Sequence, residues 1–160
     1  MNRKHKLIHL QTLHMGRPIV RAHYNHDSGL FDQPNIVHPH SIIINEGLHA
    51  FYSDVSAELS DFRIFVDACE QLRTHWKIQR DTTQRGYSKE EVLEAIQLRK
   101  KDSDQLRKNQ MEKADLIIKI GTVVPIKEVG FDKITPLKVD FDLKNNKMTS
   151  LVTYLYNNLK

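Results

Sequence analysis

S-I-I-I-N-E-G-L-H, Ser41 to His49, sets three consecutive isoleucines ahead of a carboxylate and a glycine. A short unbroken apolar run is what a strand shows when both its faces are covered, as in a parallel sheet flanked by helices. The reading is a central strand over Ile42–Ile44, and with it an α/β fold. Glu46 stands where the run stops, and ligands of open α/β sheets sit beyond the carboxyl ends of the strands. It is a candidate for chemistry; the plain alternative, a polar residue that ends a buried strand, weighs as much on the strand alone.

Working outward, Leu7, Ile8, Leu10 and Leu13 share a helical face, with Gly16 as the stop. Between Arg17 and Gln33, the turn residues Asn25, Asp27, Ser28 and Gly29 separate short apolar groups, which reads as a hairpin or ordered loop. Beyond His49, Ser53 or Asp54 caps a short helix, and R-I-F-V-D (Arg63–Asp67) reads as a second buried strand. Ala68–Gln84 is amphipathic at helical spacing, closed by Arg85 and Gly86. Ser88 and Glu91 form the S-x-x-E signature of a capping box, opening a helix that runs to about Lys113. D-L-I-I-K-I (Asp115–Ile120) reads as a third strand of the same sheet. Leu137, Val139, Phe141 and Leu143 alternate with Lys138, Asp140 and Asp142, the pattern of a half-buried strand. In the ending, Leu151, Tyr154, Leu155 and Leu159 fit a helical face while their β-branched and aromatic neighbours favour extension; helix is the preferred reading.

A chain of 160 residues, 39% apolar and 28% charged, suits one soluble domain with a real core. No stretch approaches a membrane span, and the opening residues lack the apolar centre of a signal peptide, so the expectation is a cytoplasmic protein without a membrane partner. The single cysteine, Cys69, excludes an intramolecular disulfide and a multi-cysteine zinc site, and its amphipathic setting points to plain packing. Eight of nine histidines precede residue 50, but their spacings form no zinc signature. The net charge of +4 suits an anionic ligand. Nucleic acid is disfavoured: Asp102, Asp104 and Glu112 interrupt the basic helix, and only Trp76 with Tyr87 offers aromatics among cations.

The strongest constellation is W-K-I-Q-R-D-T-T-Q-R-G-Y, Trp76 to Tyr87. Lys77, Arg80 and Arg85 stand in and just past the last turns of one helix, able to hold a polyphosphate and neutralise charge on a transferring phosphoryl group. The bland alternative is that cations near a helix C-terminus only complement its dipole.

The stretch from Thr12 to Ile120 resembles the phosphoribulokinase and uridine kinase family of P-loop kinases, the phosphoribulokinase branch more closely. G-R-P-I-V with Y-N-H-D-S-G (Tyr24–Gly29), I-I-I-N-E-G-L-H, W-K-I-Q-R-D with Arg85-Gly86, R-K-K-D (Arg99–Asp102) and Q-M-E-K-A-D (Gln110–Asp115) carry the resemblance, in family order and spacing. It implies an incomplete P-loop NTPase-like three-layer domain with a mainly parallel sheet over residues 1–121, and a C-terminal strand region, 122–160, packed on the same domain. It implies ATP-dependent phosphorylation of a sugar or ribosyl hydroxyl with ATP and Mg²⁺. By resemblance Glu46 ends the Walker B strand and holds Mg²⁺, Lys77, Arg80 and Arg85 are catalytic with Arg80 and Arg85 on ATP, and Tyr24, His26, His49 and Arg99 meet the substrate, a sugar phosphate or nucleoside.

The sequence departs from the family in its catalytic equipment, which lacks the P-loop and the strand with the expected general base, and in smaller ways at Lys101 and Ser103. A P-loop needs G-x-x-x-x-G-K-S/T, and none of the six glycines here precedes a lysine. The expectation is a P-loop-less C-terminal part, inactive alone, completed by a separately encoded P-loop segment or by self-association. The competing expectation is a binding or scaffold protein derived from the same kinase fold.

Overall fold

The computed structural model describes residues 3–25, 28–124 and 136–158. The chain forms two compact units, one of residues 1–61 with 158–160, the other of residues 62–157.

In the first unit, α1 (Arg3–His14) ends as expected at Gly16, whose φ of +72° is a backbone state that glycine adopts without steric cost. β1 (Ile19–Arg21) pairs antiparallel with β2 (Asn35–Val37), and the intervening chain continues the pairing through a Tyr24–Phe31 bridge. The hairpin reading therefore holds, though His26 and Asp27 lie outside the described residues. α2 (Asp54–Glu58) is capped by Ser53, whose hydroxyl oxygen accepts from the Ser56 N–H at 3.2 Å. Leu13, Ile19, Ala50, Phe51 and Ala57 make this unit's core.

The expected central strand over Ile42–Ile44 is not there: these residues have no strand structure, and Ile44 is 86% exposed. A strand exists only beside a hydrogen-bonding neighbour, and no described segment is registered against this one. The chain turns immediately after it, with Gly47 at φ +141° and the Ala50 N–H donating to the Gly47 carbonyl at 3.2 Å.

In the second unit, β3 (Ile64–Ala68) leads through α3 (Glu70–Gln84) and α4 (Lys89–Lys113) into β4 (Leu116–Thr122), which runs parallel to β3 from Ile64–Leu116 to Ala68–Ile120. β5 (Leu137–Leu143) adds antiparallel to β4, from Leu116–Leu143 to Thr122–Leu137. The chain is α/β as read, and its described three-stranded sheet is mixed, in the order β3-β4-β5. Two expectations of burial fail. β3 exposes Ile64 and Val66, and β5 exposes Leu137, Val139, Leu143 and Phe141, the last by 69%. Among the described strands only β4 has ladder neighbours on both sides, and burial concentrates there in Leu116 and Ile117. Cys69 is also exposed: it occupies the N-cap position of α3, its N–H spent on the Ile120 carbonyl at 2.8 Å rather than its thiol on the core.

Leu72, Ile78, Val92, Ala114 and Ile117 form this unit's core. Asp115, 1% exposed, ties the start of β3 and the start of α5 (Lys147–Asn158) to β4. Its oxygens accept from Arg63 Nε (2.9 Å), Arg63 Nη2 (3.0 Å), the Arg63 backbone N–H (2.9 Å) and Asn145 Nδ2 (2.7 Å). Burial works to raise this carboxyl's pKa, yet the bonds from Arg63 and Asn145 outweigh it and hold the group well below the usual carboxylate range. α5 agrees with the helical reading of the ending; Leu159 lies outside the described residues, as do the side chains of Tyr154 and Leu155. No described helix is long and apolar enough to cross a membrane.

Candidate functional site

The end of α3 gathers charge on one carboxylate. Asp81 stands one turn after Lys77 and one turn before Arg85, with Arg80 adjacent, so helical geometry alone brings all three cations within reach of it. Lys77 Nζ pairs with Asp81 Oδ2, Arg80 Nε donates to Oδ1 at 2.8 Å, and Arg85 Nη1 lies 3.2 Å from Oδ1. Asp81 is only 3% exposed. The hydrogen bonds from Arg80 and then Lys77 hold its carboxyl well below the usual carboxylate range, against the opposing effect of burial.

One carboxylate against three cations leaves a local charge of two positive units. Arg80 donates its Nε–H to Asp81, Arg85 meets the same carboxylate as an ion pair, and both side chains are about half exposed, with further guanidinium N–H groups to offer an anion. Fixing such a fork in advance reduces the ordering cost of binding an anionic oxygen pair.

The chain after the cluster is equally defined. Arg85 is the C-cap, Gly86 takes φ +72°, and the Tyr87 N–H returns to the Asp81 carbonyl at 3.2 Å. The expected capping box follows: Glu91 N–H donates to Ser88 Oγ at 3.1 Å, and Ser88 N–H to Glu91 Oε2 at 2.7 Å. Those bonds lower the Glu91 carboxyl pKa. Trp76 and Tyr87 are exposed, and Arg99 is exposed on α4, outside the set of groups on Asp81.

Glu46, Tyr24 and His49 belong to the other unit. Glu46 is exposed, and Lys6 Nζ donates to its backbone carbonyl at 3.4 Å. Burial lowers the Lys6 pKa, opposed by the Glu46 charge and reinforced by Arg21. A β-carbon at position 47 would stand 3.5 Å from Lys6 Nζ, so Gly47 is set by its backbone angle more than by space. Tyr24 meets Phe31 edge to face, ring centroids 5.3 Å apart, and His49 meets Tyr52 likewise at 5.9 Å. His26 lies outside the described residues. Among those described, no group of three or more His, Cys, Asp or Glu residues can hold a metal ion.

Residues 5–127 match the family model described as Phosphoribulokinase / Uridine kinase family. The chain belongs to that family. It is 38% identical to a phosphoribulokinase of Synechocystis sp. over 111 residues, 69% of this chain and 33% of that protein. It is 37% identical to a chloroplastic phosphoribulokinase of Chlamydomonas reinhardtii over 147 residues, 92% of this chain and 38% of that protein. A uridine kinase of Staphylococcus epidermidis is 27% identical over 150 residues, 92% of this chain and 66% of that protein. The chain thus spans about a third of the length of these phosphoribulokinases.

Sequence reasoning passed over Asp81, the carboxylate on which Lys77, Arg80 and Arg85 converge. Its signal was present in two i,i+4 pairs of opposite charge, Lys77/Asp81 and Asp81/Arg85. Asp115 was passed over as well; a carboxylate between a helix end and an apolar run gave no hint of Arg63, 52 residues earlier.

Proposed function

We propose that this chain is the basic-cluster part of an ATP-dependent kinase that phosphorylates a sugar or ribosyl hydroxyl, with a sugar phosphate favoured over a nucleoside by the higher identity to phosphoribulokinases. The convergence of Lys77, Arg80 and Arg85 on buried Asp81 supports this reading most. It is a preorganised cationic platform, and phosphoryl transfer is catalysed chiefly by positioning and charge stabilisation. In this reading Arg80 and Arg85 bind the nucleotide phosphates, Lys77 assists, and Tyr24, His26, His49 and Arg99 meet the acceptor.

Mg²⁺ would neutralise charge on the nucleotide phosphates in such chemistry, and it asks for only one or two protein carboxylates. An exposed Glu46 fits that modest demand, with Lys6 as its competing cation. Residues 1–121 then form the kinase-like domain and 122–160 its extension, in a cytoplasmic protein. The sequence has no G-x-x-x-x-G-K-S/T, so the phosphate-cradling loop is supplied from outside these 160 residues, by a separate segment or a longer product. That same feature favours a second reading, a non-catalytic binding protein derived from the fold.

The test is titration of the 160-residue protein with a fluorescent ATP analogue, alongside assays of phosphate transfer from ATP to ribulose 5-phosphate and to uridine. Binding that weakens in Arg80→Ala and Arg85→Ala, without turnover, is expected. Robust turnover by this chain alone overturns the requirement for an outside loop. Reading the DNA upstream of the Met1 codon separates the two functions: a strand followed by G-x-x-x-x-G-K-S/T supports the kinase, and unrelated sequence favours the binding protein.

A further inference from the structure

We infer that His23, held by Asp32, is a positioning residue for the acceptor, its Nε2 taking a hydrogen bond from a sugar hydroxyl. The inference rests on the kinase reading and deepens it by naming a side chain that recognises the acceptor's hydroxyl groups.

His23 and Asp32 face each other across the hairpin between β1 and β2. The Asp32 backbone N–H donates to the His23 carbonyl at 2.9 Å, which fixes the two residues as a cross-strand pair. Their side chains meet, His23 Nδ1 and Asp32 Oδ2 being 2.8 Å apart, and Asn25 Nδ2 donates to the other carboxylate oxygen at 3.4 Å. The next pair towards the turn is Tyr24 with Phe31, whose edge-to-face rings stiffen the same hairpin.

The proton's position follows from the partner. The bonds from His23 and then Asn25 lower the Asp32 carboxyl pKa, so at neutral pH it is a carboxylate and can only accept. Nδ1 must then carry the ring hydrogen, and a neutral imidazole so arranged has its lone pair on Nε2. No described group bonds Nε2, and the side chain is 58% exposed, so this acceptor is directed to solvent. The same logic orients the histidines of metal and acyl-transfer sites, where a carboxylate sets tautomer and ring direction. In its neutral form the ring so held offers Nε2 to an O–H, the group that marks the hydroxyl end of a sugar phosphate. A purely structural role explains less: an exposed side-chain contact across two strands contributes little to stability.

The decisive measurement is ring ¹⁵N NMR of the wild-type 160-residue protein, needing no variant. The expected result is the Nδ1–H tautomer for neutral His23, and an Nε2 shift on saturation with ribulose 5-phosphate but not with inorganic phosphate. Asp32→Asn, which frees the ring to carry its hydrogen on Nε2, weakens ribulose 5-phosphate binding about 5- to 10-fold, the loss of one hydrogen bond. It leaves the ATP-analogue affinity unchanged. The Nε2–H tautomer, or ribulose 5-phosphate that fails to bind or binds without moving Nε2, overturns the inference. If ATP-analogue binding still tracks Arg80 and Arg85, the kinase reading survives that failure; if it does not, both fall.

Discussion

Arg85 Nη1 lies 3.2 Å from Asp81 Oδ1, so the residue that caps α3 is pinned to a buried carboxylate one turn behind it. The pin uses one corner of the guanidinium and leaves the fork available. Arg85→Ala removes both the pin and the proposed phosphate donor, and ATP-analogue affinity is expected to fall about 10-fold or more, as for a lost charge-assisted hydrogen bond. Arg85→Lys restores a point charge without the fork, so its affinity falls between the two. Fluorescence titration of the three proteins checks the order; equal affinities refute the role.

Both Asp81 and Asp115 have carboxyl pKa values below their unfolded ones. A depressed folded pKa stabilises the protein above the unfolded value and ceases to do so as pH falls through the folded one. The urea midpoint should therefore be level from neutrality down to about pH 5 and decline below about pH 4, where unfolded carboxylates protonate. Asp81→Asn cannot gain that proton, so its midpoint starts lower and declines less steeply. A variant with the wild-type pH profile would show that Asp81 does not carry the linkage.

Asp115→Ala would leave Arg63 with a partly buried charge and break the tie among β3, β4 and α5. Loss of one partner from a buried pair costs about 3–5 kcal/mol, enough to unfold a marginal domain. Asn145→Ala removes a single bond to the same carboxylate and costs about 1 kcal/mol. Urea unfolding of both variants tests the ratio, and near-equal losses would mean that the Arg63 fork matters little.

What was legible in the sequence follows the range of the interactions. The capping box of Ser88 and Glu91 and the stops at Gly16 and Gly86 are decided within a few residues, and each stands as read, whereas α3 begins at Glu70, two residues later than read, because Ala68 is taken into the β3 ladder. The pairing of β3 with β4 was legible because two apolar runs flank a helical crossover. Burial was not. Phe141 and Val66 belong to well-formed strands, yet whether a sheet face is covered depends on what else packs there, and alternation along one strand cannot report it. In the site, residue types identified the cations but missed Asp81, because attention to charge of one sign concealed the carboxylate placed among them.

The helix after the cluster supplies a local test. Ser88→Ala deletes the cap oxygen that accepts from the Glu91 N–H, at an expected cost of about 0.5–2 kcal/mol. Ser88→Asp retains an acceptor and should restore most of it. If the geometry of 85–88 steers the guanidinium groups, Ser88→Ala also weakens ATP-analogue binding, and Ser88→Asp recovers it. Unchanged stability in Ser88→Ala would show that the box forms without energetic effect.

The three isoleucines ahead of Glu46 allow a direct measurement of where this segment sits in the 160-residue protein. A buried isoleucine in a central strand loses about 2–5 kcal/mol when cut to alanine, because both transfer energy and a cavity are involved. Ile44 is 86% exposed and Leu48 82% exposed, so there is little apolar area to lose on substitution. Ile44→Ser and Leu48→Ser are therefore expected to change unfolding free energy by no more than about 0.5 kcal/mol. Both should raise solubility, since they break an exposed apolar patch. A loss of several kcal/mol from Ile44→Ser would mean that the segment is buried in solution, by self-association if the loss disappears on dilution and by intramolecular packing if it does not.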